Sequence, residues 1–116
     1  MKFEELRVWQ KALDLTEKIH LLTKDFPKEE LFILTSQIKR ATDSIALNIA
    51  EGSTGQTNKE FYKFLGYSVR SAIEVVGCLH IGKRRNYISE AKFQELYNEL
   101  ETLIKMIHSL RKTLII

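Results

Sequence analysis

The chain has one cysteine, Cys78, so neither an internal disulfide nor a thiolate metal cluster can form. That fits a reducing compartment. Its one proline, Pro27, cannot sit inside a helix but is tolerated in a first turn. No apolar run approaches the roughly 20 residues that a membrane span needs. The opening MKFEELRVWQ carries acids where a signal peptide has an apolar core. The expectation is a cytoplasmic protein with no membrane contact. No strand pattern, internal repeat or low-complexity segment competes with the helical periodicity described below.

Several catalytic patterns are missing as well. A di-metal helical bundle needs two Glu-x-x-His motifs; here that spacing occurs once, from Glu17 to His20, and His80 and His108 lack it. The GSTG at 52–55 has neither the lysine nor the preceding strand of a phosphate loop. Serine, histidine and aspartate are present without a signature joining them. Cys78 lies in an apolar helical context and reads as an inert core thiol. These absences argue against an enzyme, and no metal or cofactor is expected.

At 116 residues the chain fits one domain, 1–116, long enough to bury about two-thirds of its unfolded surface. The net charge is +3, from 18 basic and 15 acidic residues. The imbalance is local. Residues 53–88 hold six Lys/Arg against two Asp/Glu, whereas the remaining segments are near balance. A local excess of this size suggests an anionic partner but is modest for a nucleic-acid binder.

Periodicity supplies the architecture. Residues 26–52 read as one helix of about 24 residues after Pro27, about 36 Å long. Glu29 and Glu30 sit at its positive end, and Gly52 is placed as a left-handed C′ residue. Its core stripe is Leu31, Leu34, Ile38, Ala41 and Ile45. Residues 3–25 form an earlier helix whose apolar positions, including Val8, Trp9, Leu15 and Leu22, span about 200°. Either that helix is deeply buried in its own bundle or part of the arc meets another subunit. Thr57 and Glu60 open a third helix as a capping box, ending near Arg85 with Asn86 as C′. Gly66 and Gly77 within it are candidate close-packing positions. Ser89 caps a fourth helix, where Phe93, Leu96, Leu100, Leu103, Ile107, Leu110 and Leu114 alternate by three and four. Four helices with short connections predict an all-α, antiparallel up-down-up-down four-helix bundle.

Two polar groups each carry two readings. Gln37, Arg40, Ser44, Asn48 and Glu51 form a stripe beside the core stripe of the second helix. It is either a hydrogen-bonded seam or subunit contact, with Arg40 paired to an acid, or a surface that reaches phosphate and base edges. Lys83, Arg84 and Arg85 either complement the dipole of the third helix or form a phosphate-contacting tip, with Tyr87 able to stack on a base. Arg70 and Lys63 belong to the same basic segment.

Certain blocks resemble a known family: L-x-V-W-Q-x-A at 6–12, F-P-x-x-E at 26–30, Q-I-x-R-A-x-x-S-I-x-x-N-I-A-E-G at 37–52, E-F-x-x-F-L at 60–65 and Y-I-S at 87–89. Together they resemble the bacterial four-helix-bundle proteins named after an intervening sequence in large-subunit ribosomal RNA genes. The resemblance covers nearly the whole chain. It implies antiparallel bundles that assemble into rings, commonly pentamers. It also implies a likeness to accessory proteins of diversity-generating retroelements, whose basic rings bind nucleic acid and a reverse transcriptase. The third helix departs from the family pattern of Gly-Ser followed by an acidic segment: in RSAIEVVGC at 70–78, Ser71 and Glu74 match, while Arg70, Val76, Gly77 and Cys78 do not. The change makes this region less acidic, which favours an anionic partner.

The resulting expectation is a non-enzymatic homo-oligomer that binds RNA or DNA, or a nucleic-acid-processing protein. Lys83, Arg84, Arg85, Arg70, Lys63, Gln37, Arg40 and Asn48 are the candidate contacts, and Val8, Trp9, Leu15 and Leu22 the candidate ring contact. The alternative is a protein–protein scaffold that binds no nucleic acid.

Overall fold

The computed structural model describes residues 1–114. Four α-helices dominate: α1 (Arg7–Thr23), α2 (Ser36–Ser53), α3 (Asn58–Arg84) and α4 (Glu90–Thr113). A 3₁₀ turn, Lys2–Glu5, precedes α1. No strand occurs among the described residues. Contacts run from α1 to α2, α2 to α3, α3 to α4 and α4 back to α1, closing the antiparallel four-helix bundle in a body of 45 × 23 × 20 Å.

The core is where periodicity placed it. Val8, Ala12, Leu15 and Ile19 from α1 meet Ile38, Ala41, Ile45 and Ile49 from α2. Leu65, Ala72, Val75 and Leu79 from α3 and Leu96, Leu100, Leu103 and Ile107 from α4 complete it. Each large side chain gains about 1.5–3 kcal/mol from burial. Buried hydroxyls are satisfied locally: Thr42 donates to the Ile38 carbonyl at 2.7 Å, and Ser68 of α3 donates to the Ile45 carbonyl of α2.

The ends of α3 and the start of α4 follow the sequence signals, though of the expected capping box only the Thr57 half is formed. The Thr57 hydroxyl accepts from the Glu60 amide at 3.1 Å, and Ser89 accepts from the Lys92 amide at 3.1 Å. Asn86 takes a positive φ of 65°. The Tyr87 amide then reaches the Gly82 carbonyl (2.9 Å) and the Asn86 amide the Lys83 carbonyl (3.0 Å). This paired arrangement closes the carbonyl end of α3.

The segment before α2 departs from expectation. Lys28–Glu30 is a 3₁₀ turn and Leu31–Thr35 is π-helical. A π turn takes an extra residue per turn, so α-helical counting backward from Leu34 and Ile38 fails. Leu31, expected in the core, is 51% exposed, whereas Glu30 is buried at 7%.

Two glycine readings also change. Gly52 has no positive φ and lies inside α2. A Cβ there would come within 2.5 Å of the Phe64 Cβ, so its role is close approach of α2 and α3. Gly66 gives room to the Arg111 guanidinium, which a Cβ would meet at 2.9 Å. Gly77 faces open space and is not a packing position.

These surroundings predict opposite outcomes for one substitution. Gly52→Ala should cost about 1–3 kcal/mol by overpacking. Gly77→Ala should stabilise by about 0.5–1 kcal/mol by removing helix-interior glycine. Urea unfolding of both variants checks this; equal shifts would refute the packing assignment.

Candidate nucleic-acid and partner surfaces

Two of the three cations at the end of α3 sit beside the chain's own acids. Lys83 Nζ lies 2.6 Å from Glu90 Oε2 and 4.5 Å from the centre of the Phe93 ring. Arg85 Nη1 donates to Glu30 Oε2 at 3.0 Å, and the Tyr87 hydroxyl donates to the same oxygen at 2.9 Å. That hydrogen bond to Glu30 holds the Tyr87 phenol above its ordinary pKa. Tyr87 also packs on Phe26, with centroids 5.6 Å apart, so its ring is not a free platform. Arg84 is exposed, and of the three expected tip contacts it alone stands in no ion pair among the described residues.

The remaining candidate contacts are scattered. Arg70 is exposed on α3, and Lys63 rests 5.5 Å from the Phe64 ring centre. In the α2 stripe, Asn48 Nδ2 donates to the Ser44 carbonyl (2.9 Å) and hydroxyl (3.0 Å). Ser71 of α3 donates to that hydroxyl at 2.9 Å. Ser44 and Asn48 thus form a seam between α2 and α3. Gln37, Arg40 and Glu51 are exposed beside it, and Arg40 has no acid partner among the described residues.

The residues expected as a ring contact on α1 divide in two. Val8 and Leu15 are buried in the core of their own chain and cannot be presented to another copy. Trp9 is half-buried, edge-on to Phe3 at 5.2 Å, and Leu22 is half-buried against the core.

Two surfaces at the start of α2 escaped the sequence reading. Phe32 is 89%, Ile33 62% and Leu47 66% exposed. Phe32 and Leu47, with Leu31, line a groove of about 610 Å³ that also carries Lys39, Arg40 and Asp43. A second groove, about 270 Å³, lies at the corner between α1 and α2 and is lined by His20, Lys24, Lys28 and Lys39 over Phe26, Pro27 and Leu31. The available signal was the four-residue apolar run LFIL at 31–34, which one face of an α-helix cannot hold.

The family model described as the 23S rRNA-intervening sequence protein matches residues 4–109. The chain belongs to that family. A further likeness is to the crystal structure of a protein of unknown function in the S23 ribosomal protein family from Bacteroides thetaiotaomicron. It is 27% identical, with a TM-score of 0.84 over 97% of this chain and 99% of that one. No curated protein matches. These matches show the intervening-sequence protein family and its bundle; they do not extend to the retroelement accessory proteins. No helix of this family member, among the described residues, is long and apolar enough to cross a membrane.

Two outcomes follow from this geometry. Glu30→Ala should destabilise the protein by about 1–3 kcal/mol, because it leaves two donors without their acceptor; chemical unfolding measures it, and no change would show that the contact is not formed in solution. Burial, with Glu74 adding, pushes the Cys78 thiol up to about 11. The neutral thiol thus favours the folded state below its ordinary pKa, and this contribution is lost as pH rises through the raised value. At mildly alkaline pH, iodoacetamide should modify the native protein far more slowly than the urea-unfolded chain. Equal rates would overturn the buried placement.

Proposed function

We propose that this intervening-sequence protein is a non-enzymatic, self-assembling helical bundle that acts in the cytoplasm by binding RNA or a ribonucleoprotein. The observation that carries the assembly is the apolar face at the start of α2. Leu31, Phe32 and Ile33 are turned outward by the π turn, and Leu47 stands on the same helix. Exposed apolar side chains gathered in a patch mark interaction surfaces, and burying each is worth about 1.5–3 kcal/mol. The occupant is a second copy of the chain, in a ring of the kind the family resemblance implies. The broad arc of α1 is not needed for this contact. The RNA part rests on the family's description and on the chain's basic balance of +3.

A second reading, a protein–protein scaffold without nucleic acid, is favoured by the ion pairs of Lys83 and Arg85. Pull-downs that survive nuclease treatment would select it.

Light scattering tests the assembly. The unmodified protein should run as an oligomer, and Phe32→Glu should shift it to monomer with its helical circular dichroism unchanged, since Phe32 contributes little to the core. A monomeric unmodified protein, or an oligomer unaffected by the substitution, would sink this interface.

A further inference from the structure

We infer that the groove at the α1–α2 corner is the nucleic-acid site, taking the phosphodiester backbone of an unpaired strand. This inference rests on the RNA-binding reading above and gives it a location. Lys24, Lys28 and Lys39 line the groove together with His20, and no carboxylate is in its wall. None of the three lysines takes part in an ion pair among the described residues.

Other grooves on the molecule differ in this respect. The one holding Lys11 also holds Asp14 and Glu99. The one holding Lys18 and Lys92 also holds Asp25 and Glu95, and Lys18 is already 2.7 Å from Glu99. In those two grooves the cations share the wall with acids, whereas Lys24, Lys28 and Lys39 share theirs with none.

Shape adds to charge. Lys39 also lines the neighbouring groove, where Arg40 continues the positive edge beside a single acid, Asp43. The cations therefore follow a path from the end of α1 across to the side of α2, rather than ringing one point. A path of point charges over an apolar floor suits an extended polyanion, whose repeated phosphates each find a lysine, better than a compact ion. Lys24 and Lys28 lie outside the groove that carries the apolar face assigned to self-assembly, which the path reaches at Leu31, Lys39 and Arg40. Each added subunit would then repeat the path, and avidity would add to the affinity of one groove.

Fluorescence anisotropy with a labelled oligouridylate tests the site. The variant with Lys24, Lys28 and Lys39 all changed to Ala should bind at least about tenfold more weakly, and its log affinity against log salt should flatten by about 2 for three lost contacts to a single strand. Changing the same lysines to Arg should keep both affinity and slope. Changing Lys83, Arg84 and Arg85 to Ala should alter the slope by less than 1, because only Arg84 is free. If the unmodified protein binds oligouridylate and the groove variant binds equally well, the groove is overturned and the RNA reading stands. If the unmodified protein binds no oligouridylate even at low salt, the RNA reading falls and the groove with it. Oligoglutamate bound as tightly as oligouridylate, with the same loss in the groove variant, would overturn the phosphate assignment in favour of an acidic protein partner.

Discussion

One buried carboxylate sets the geometry of everything at this end of the bundle. Glu30 accepts from Arg85 and from Tyr87, and so ties the connection before α2 to the turn that joins α3 to α4. A carboxylate taken out of water is costly unless it is paired and hydrogen-bonded. Here two donors converge on one oxygen, supported by Phe26 against Tyr87 and by Ile88 packed over Gly82, where a Cβ would meet it at 2.6 Å. The chain must bring Glu30 inward to make this contact. The π turn that follows accommodates the change of register before α2 resumes its α-helical stepping at Ser36. The same adjustment turns Leu31, Phe32 and Ile33 outward. A stabilising contact on the inside and an exposed apolar face on the outside are thus two sides of one register shift.

The rest of the bundle depends on how closely α2 and α3 approach. Gly52 lets the Phe64 backbone region come near, Ser68 reaches the Ile45 carbonyl, and Ser71 meets Ser44. Small side chains on both helices permit this spacing. Hydroxyls in the interface satisfy themselves against backbone or each other, so the close approach leaves no buried donor unmet. This explains why the polar stripe of α2 divides in two. Its inner members, Ser44 and Asn48, serve the seam, and its outer members, Gln37, Arg40 and Glu51, remain available at the surface.

Much of this was readable from residue order, and the failures share a cause. The helices, their caps at Thr57 and Ser89, the left-handed Asn86 and nearly the whole core follow from local rules: hydrogen-bonding capacity at helix ends and a period of 3.6. Such rules act within a few residues. Glu30 meets Arg85 across 55 positions, and no local rule anticipates that pairing. Once it is missed, the π turn is missed. Leu31 is then counted into the core, and the outward run at 31–33 goes unseen. Gly52 misled for a related reason. Its position just after the periodic stretch fits a C′ glycine, while its actual constraint comes from Phe64 in another helix. Val8 and Leu15 show the limit of an amphipathic arc: its width does not say which edge meets the chain's own core and which meets something else.

Charge is the property for which this distinction matters most. Counted along the sequence, positive charge concentrates in 53–88, with six basic residues against two acidic. Folding redistributes it. Lys83 and Arg85 find Glu90 and Glu30, which belong to the neighbouring acidic or balanced segments. Each of these two cations has an acid at close range, within distances far shorter than the screening length of about 8–10 Å in physiological salt, while Lys63, Arg70 and Arg84 of the same segment stand in no ion pair among the described residues. Lys24, Lys28 and Lys39 come from segments with no basic excess, yet the fold sets them along one concave wall without a carboxylate among them. A partner responds to the field at the surface and not to the tally along the chain. The fold thus sets two cations of the most basic segment beside acids, and gathers three lysines of balanced segments on one wall at the corner where α1 gives way to α2.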